Sequence, residues 1–265
     1  MEITQIWLTL VSGGLVGIIL GLVGGGGSIL AVPLLIFLVG VSSTHVAIGT
    51  GAVAVAVNAF AGLWGQARAG MIKWPCALVF SAAGAVGAAI GAYGGKSVDG
   101  DQLLILFGLL MIVVAIATYL RRNKIADLDV RLSRGSAPKL LPPIVGGGLL
   151  VGLAAGFFGI GGGFLIVPAL MAATGMSMRQ AVGTSLVVVT VLGATTALSY
   201  AMSGLVDWKL SLLLITGGVA GAWLGLFLGK RLANRKGRME MIFAMLVLAT
   251  GIYIVLRSTG LIFSL

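Results

Sequence analysis

The chain has 265 residues, 59% of them hydrophobic and 9% charged, with 43 glycines and a formal net charge of +10. A soluble domain carries about 25% charged residues, so a water-exposed globule is excluded and an all-α polytopic membrane protein is indicated. The single cysteine, Cys76, excludes an internal disulfide framework and a multi-cysteine metal site.

The first apolar segment, about 5–23, follows "MEITQ", which lacks the basic n-region and cleavage site of a signal peptide, and reads as a retained span. "GGGGS" (24–28) comes next, then a short apolar piece near 28–40 and long segments at about 44–65, 75–95 and 102–120. A polar linker, "RRNKIADLDVRLSRGSAPKLLPP" (121–143), ends in Pro142 and Pro143, a pair expected to stop a helix. Long segments return at about 144–160, 179–200, 208–229 and 238–256, with a second short piece near 162–174 after "GIGGG". The organisation is a first membrane repeat (1–120), a cytoplasmic linker (121–143) and a second repeat (144–265).

The halves repeat each other. "GLVGGGGSILAVP" (21–33) lies over "GFFGIGGGFLIVP" (156–168) at an offset of 135, and "AIGT" (47–50) over "AVGT" (181–184) at 134. At 134, "GMIKW" (70–74) meets "GLVDW" (204–208), and "GAVGAAIGAYGGK" (84–96) meets "GVAGAWLGLFLGK" (218–230). If each short piece crosses, a half contains an odd number of crossings and the second half is inverted. With the linker inside, only Lys96, Lys209 and Arg257 of the 17 Lys and Arg then lie outside. The parallel alternative exposes "KRLANRKGR" (230–238) to the exterior, so the positive-inside rule favours inverted-topology repeats with both termini external. The basic excess is thus a property of cytoplasmic loops, and no nucleic-acid partner is implied.

A thirteen-residue piece spans about 20 Å as a helix, short of a bilayer core of roughly 30 Å. Each short piece is therefore expected to be a half-helix joined to irregular glycine-rich backbone, bent at Pro33 or Pro168. Such backbone must be covered by protein or line a wet cavity. Its free amides and the helix dipole suit an anion, and glycine lets a ligand come close. The candidate binding residues are accordingly Gly24, Gly25, Gly26, Gly27 and Ser28 with Gly159, Gly161, Gly162, Gly163 and Phe164. The competing role is close helix packing. Glycines spaced by three and four in 84–96 and 218–230 fit that role, because they share one helix face. Consecutive glycines form no face, and both tracts precede a short helix.

Thr50, Thr184 and Ser185 offer hydroxyls to an oxyanion, or back-bond to their own helix. His45 and Arg179, 134 apart at helix starts, are candidate gates drawing anions in, or ordinary helix-end groups. Asn58 lines the path or bridges helices, and Trp74 and Trp208 read as interfacial anchors. Glu2, Asp99, Asp101, Asp127, Asp129, Asp207 and Glu240 all fall in or near loops or termini, so no midplane carboxylate relay is expected.

The paired "GGGGSILAVPLL" and "GIGGGFLIVPAL", each followed by "GT" within a helix and by "Gly-x-(Ile/Val)-x-Trp", resemble the sulfite exporter TauE/SafE family of bacterial membrane transporters. The resemblance spans nearly the whole chain. It implies movement of sulfur-containing anions, sulfite or small organosulfonates, across the inner membrane. The first copy has Gly51 where the second has Ser185, so the half-sites are chemically unequal. A secondary transporter or facilitator leads. An anion channel is the alternative, and an intramembrane enzyme is disfavoured by one His, one Cys and no buried acid. No nucleotide-binding motif, cofactor or metal set is read, and the oligomeric state stays open.

Overall fold

The computed structural model describes residues 3–23, 25–121, 137–159, 163–232 and 238–258. Among these the chain forms ten α-helices: α1 (Ile3–Val23), α2 (Ser28–Phe37), α3 (Thr44–Arg68), α4 (Trp74–Gly95), α5 (Gly100–Arg121), α6 (Ala137–Phe158), α7 (Gly163–Thr174), α8 (Met178–Met202), α9 (Trp208–Leu232) and α10 (Arg238–Ser258). Among the described residues, seven are long and apolar enough to cross a membrane, while α2 and α7 are the short second helices of their halves. Helices satisfy their own amides, which is what a chain this apolar requires in lipid. The protein is an all-helical polytopic membrane protein.

The first helix of each half packs along the fourth helix of the other. In α1, Gly13 lies on Leu214, Gly17 on Gly218 and Gly21 on Ala222 of α9. In α4, Gly87 lies on Leu149, Gly91 on Leu153 and Gly95 on Phe157 of α6. Residue numbers rise together in both pairs, so these helices run parallel. The glycines at spacing three and four let the backbones touch, since a Cβ at Gly91 would meet the carbonyl oxygen of Leu153.

Corresponding helices of the two halves run in opposite directions where they meet. Along α3 and α8, Gly49 lies near Tyr200, Gly193 near Ala52 and Ala56, and Gly62 near Leu186. Along α5 and α10, Gly108 meets Gly251 and Val255, while Gly251 also meets Met111 and Ile112. The α3 and α8 helices form the most buried part of the bundle.

α1 and α2 make a hairpin. Gly27 packs on Val16 and Leu20, so α2 begins part-way along α1. Gln5 Nε2 donates to Val39 O at 3.4 Å, so the chain returns to the end at which it entered, and α3 starts there. The tract expected to be irregular is in part helical: Gly25–Gly27 winds as a 3₁₀ turn and Gly27 has helical angles (φ −64°, ψ −28°). The short helices are also narrower than 28–40 and 162–174.

The proline pair corrects the linker boundary. Helix α6 starts at Ala137, so Pro142 and Pro143 stand inside it rather than stopping the chain before it. They are the sixth and seventh residues of the helix, past the four amides that have no helical partner, so the helix continues through the pair at the loss of two intrahelical bonds.

Candidate functional site

The 3₁₀ turn at the head of α2 lies against α7 and α8 of the other half, and α2 itself touches α7. The two short helices are therefore in contact across the two halves. Gly25 and Gly26 belong to this turn, with Ser28 opening α2 and fully buried. Gly24, Gly161 and Gly162 lie outside the described residues. Gly27 faces α1 rather than a cavity, because a Cβ there would sit 2.7 Å from Leu20 N.

Gly163 and Phe164 begin α7. The Phe164 ring is fully buried, 5.9 Å from the Phe107 ring of α5, so its side chain is core while its amide stands at the helix head. Gly159 closes α6 with φ +67°, its amide bonded to Gly156 O at 3.1 Å. A Cβ there would overlap Ile48 of α3, so this glycine is required by both backbone conformation and contact.

The two threonine hydroxyls are engaged differently from either expectation, while Ser185 follows the within-helix one. Thr50 Oγ1 accepts the Asp207 amide at 3.0 Å, and Thr184 Oγ1 accepts the Lys73 amide at 3.1 Å. Thr50 and Thr184 are 134 apart, and so are Lys73 and Asp207. Each threonine thus holds the amide just before a tryptophan helix start on the opposite repeat. Both are fully buried. Ser185 Oγ donates to Val182 O at 2.8 Å, a bond within its own helix. At Thr50's level of α3, Gly51 faces Ala31, Val32 and Leu35, the middle of α2 rather than its head.

Asn58 bridges helices: its Nδ2 donates to Leu214 O of α9 at 3.5 Å, and its buried Oδ1 has no partner. His45 and Arg179 stand at the starts of α3 and α8, apart from the central cluster, with Arg179 exposed. Trp74 and Trp208 are exposed at the starts of α4 and α9.

Two features had no signal in the sequence. Lys96 Nζ donates to Ser199 O, Ser199 Oγ and Ser203 Oγ at 3.1, 3.0 and 2.9 Å, and lies 5.5 Å from the Tyr200 ring centre. It ties the end of α4 to the carboxyl end of α8, where a cation complements the helix dipole. A cleft of about 470 Å³ is lined by Val46, Gly204, Val206, Asp207, Trp208 and Lys209.

A bundle of long apolar helices in which the turn before one short helix lies against the other short helix suits a polytopic membrane protein. The chain belongs to the sulfite exporter TauE/SafE family, whose profile matches residues 9–254. It is 43% identical, over 97% of its length and 98% of the relative's, to a "Probable membrane transporter protein" of Xylella fastidiosa (strain 9a5c). It is 30% identical to the "Probable membrane transporter protein YunE" of Bacillus subtilis (strain 168), over 89% of this chain and 90% of that one. A more distant relative, the "Probable membrane transporter protein MJ0441" of Methanocaldococcus jannaschii, is 27% identical over 73% of this chain and 71% of its own. No solved structure matches the chain significantly.

Proposed function

We propose that this membrane transporter is a secondary carrier or facilitator for small sulfur-containing anions, sulfite or organosulfonates, in the bacterial inner membrane. The anion is held by backbone amides at the head of α2 (Gly25, Gly26 and Ser28) and at the start of α7 (Gly163 and Phe164); Gly161, outside the described residues, belongs to the same candidate set. The observation that carries this reading is the contact of the Gly25–Gly27 turn with α7 and α8 inside the bundle. Two helix amino termini, neither with an acidic residue in its first turn, supply positive dipole ends, each worth roughly 0.3–1 kcal/mol to an anion. Binding of that strength is releasable. The full burial of Ser28, Thr50, Thr184 and Phe164 favours a carrier over an open channel.

The repeats are read as inverted, with the linker cytoplasmic and both termini external. Support comes from the antiparallel contacts of α3 with α8 and of α5 with α10. A twofold axis that maps a helix onto an antiparallel neighbour runs across the helices, hence in the membrane plane.

The test is flux into proteoliposomes with a panel of sulfite, sulfate, thiosulfate, sulfonates and carboxylates. Saturable flux of sulfite or a sulfonate is expected, abolished by Gly26→Val or Gly161→Val in protein that still folds. Undiminished flux in both glycine variants would show that the tracts serve packing alone.

A further inference from the structure

We propose that Thr50 and Thr184 are the two gates of the transport path, each shutting one end of the bundle by accepting a backbone amide from the opposite repeat. This rests on the transporter reading above, with the Thr50 end external. The two bonds, Thr50 Oγ1 to the Asp207 amide at 3.0 Å and Thr184 Oγ1 to the Lys73 amide at 3.1 Å, are one interaction repeated by the duplication. Because α3 and α8 run antiparallel, the two bonds lie at opposite ends. Each one joins a central helix to a helix anchored elsewhere: α9 is seated on α1 along its glycines, and α4 on α6. Parting a central helix from that neighbour at one end breaks one bond and leaves the other in place.

The open cleft supplies an independent pointer. Val46 lies one helical turn before Thr50 on the same face of α3, and both Val46 and Asp207 line the cleft. The Thr50–Asp207 bond therefore adjoins the cleft, with Thr50 itself fully buried one turn beyond Val46. Breaking that bond deepens an existing vestibule rather than opening a new one.

The gates are unequal. Ser211 Oγ also donates to Thr50 O at 3.3 Å, whereas the residue 134 earlier is Ala77, which has no hydroxyl. Asp207 further holds its own loop, its Oδ1 accepting the Lys209 and Leu210 amides at 2.9 and 3.0 Å. Lys73 gives α4 no side-chain cap. The external gate is the tighter one, so the cytoplasmic gate opens more often.

Thiol labelling of the full-length protein in membranes tests this without any substrate. Cys76 is buried in the first turn of α4, three residues after Lys73, and reports the cytoplasmic gate. In a Cys76→Ala background, Leu210→Cys reports the external one. An anionic methanethiosulfonate is the probe. Thr184→Val should raise Cys76 labelling about 5-fold, the value of one hydrogen bond near 1 kcal/mol, and Thr184→Ser should leave it at the parent level. Thr50→Val should raise labelling at position 210 and leave the cytoplasmic reporter unchanged. Ser211→Ala is the milder arm and should act in the same direction as Thr50→Val. Unchanged labelling in both valine variants would overturn the proposal. So would a rise at both ends in either variant, which marks general loosening. The labelling pattern is independent of flux, so a protein that carries no sulfur anion still tests the gates, and the converse holds.

Discussion

Asn58 occupies the space that any side chain at Gly218 would need. A Cβ at Gly218 would lie 2.6 Å from Asn58 Cγ and 2.8 Å from its Oδ1. The duplicated pair solves the same contact with carbon, since Leu192 Cδ1 lies 2.9 Å from the Cβ position of Gly84. Asn58 and Leu192 are 134 apart, as are Gly84 and Gly218. Asn58→Leu should therefore fit, and it removes a buried oxygen that has no partner. We expect a stability gain of about 1–2 kcal/mol, read as a higher midpoint of thermal unfolding in detergent. A lower midpoint would show that the amide is held by more than its bond to Leu214.

The glycine seams set a second expectation. Gly91→Ala and Gly225→Ala each push a methyl into backbone, that of Leu153 and Phe157 in one case and of Ile18 in the other. Each should cost about 1–3 kcal/mol, because neither helix can yield without leaving its partner. Gly146→Ala is the control. Nothing lies within 4 Å of a Cβ there, so it should be neutral or gain up to about 1 kcal/mol from helix propensity. Equal unfolding midpoints for all three variants would contradict the seam.

Gly159 carries two constraints that can be separated. Gly159→Ala meets both the left-handed backbone (φ +67°) and the Ile48 side chain. Shortening the neighbour with Ile48→Ala relieves only the second, so the double variant should recover part of the loss. The residual of about 1 kcal/mol is the cost of alanine in that conformation. Full recovery in the unfolding midpoint would mean the backbone angle is not limiting.

Topology is tested by cysteines placed one at a time in the 121–143 linker, the 230–238 loop and near each terminus, in a Cys76→Ala background. An impermeant thiol reagent added to intact cells should label the termini and spare both loops. Labelling of the 230–238 loop from outside would reverse the assignment of the second half.

The duplication, the short helices and most segment limits were legible because they are local. Apolar length, paired glycine tracts and matched prolines carry them directly. The role of Thr50 and Thr184 was not legible, because their partners are backbone amides 157 and 111 residues away. An amide has no letter in the sequence. The pairing of α1 with α9 was hidden for a related reason: glycines announce that some helix comes close, not which one. Pro142 and Pro143 misled because α6 runs through them and starts at Ala137, inside the stretch that charge and polarity marked as linker.

The crossed seating of α1 on α9 has a consequence in time. A ribosome working at about 5–20 residues per second needs on the order of 10–40 s to go from α1 to α9. Through that interval Gly13, Gly17 and Gly21 lack the helix that covers them in the finished bundle. By contrast α4 meets α6 after only one intervening helix, α5. Helix α1 is thus made well before the helix on which it is seated, and a chain stalled before residue 208 holds it without its mate.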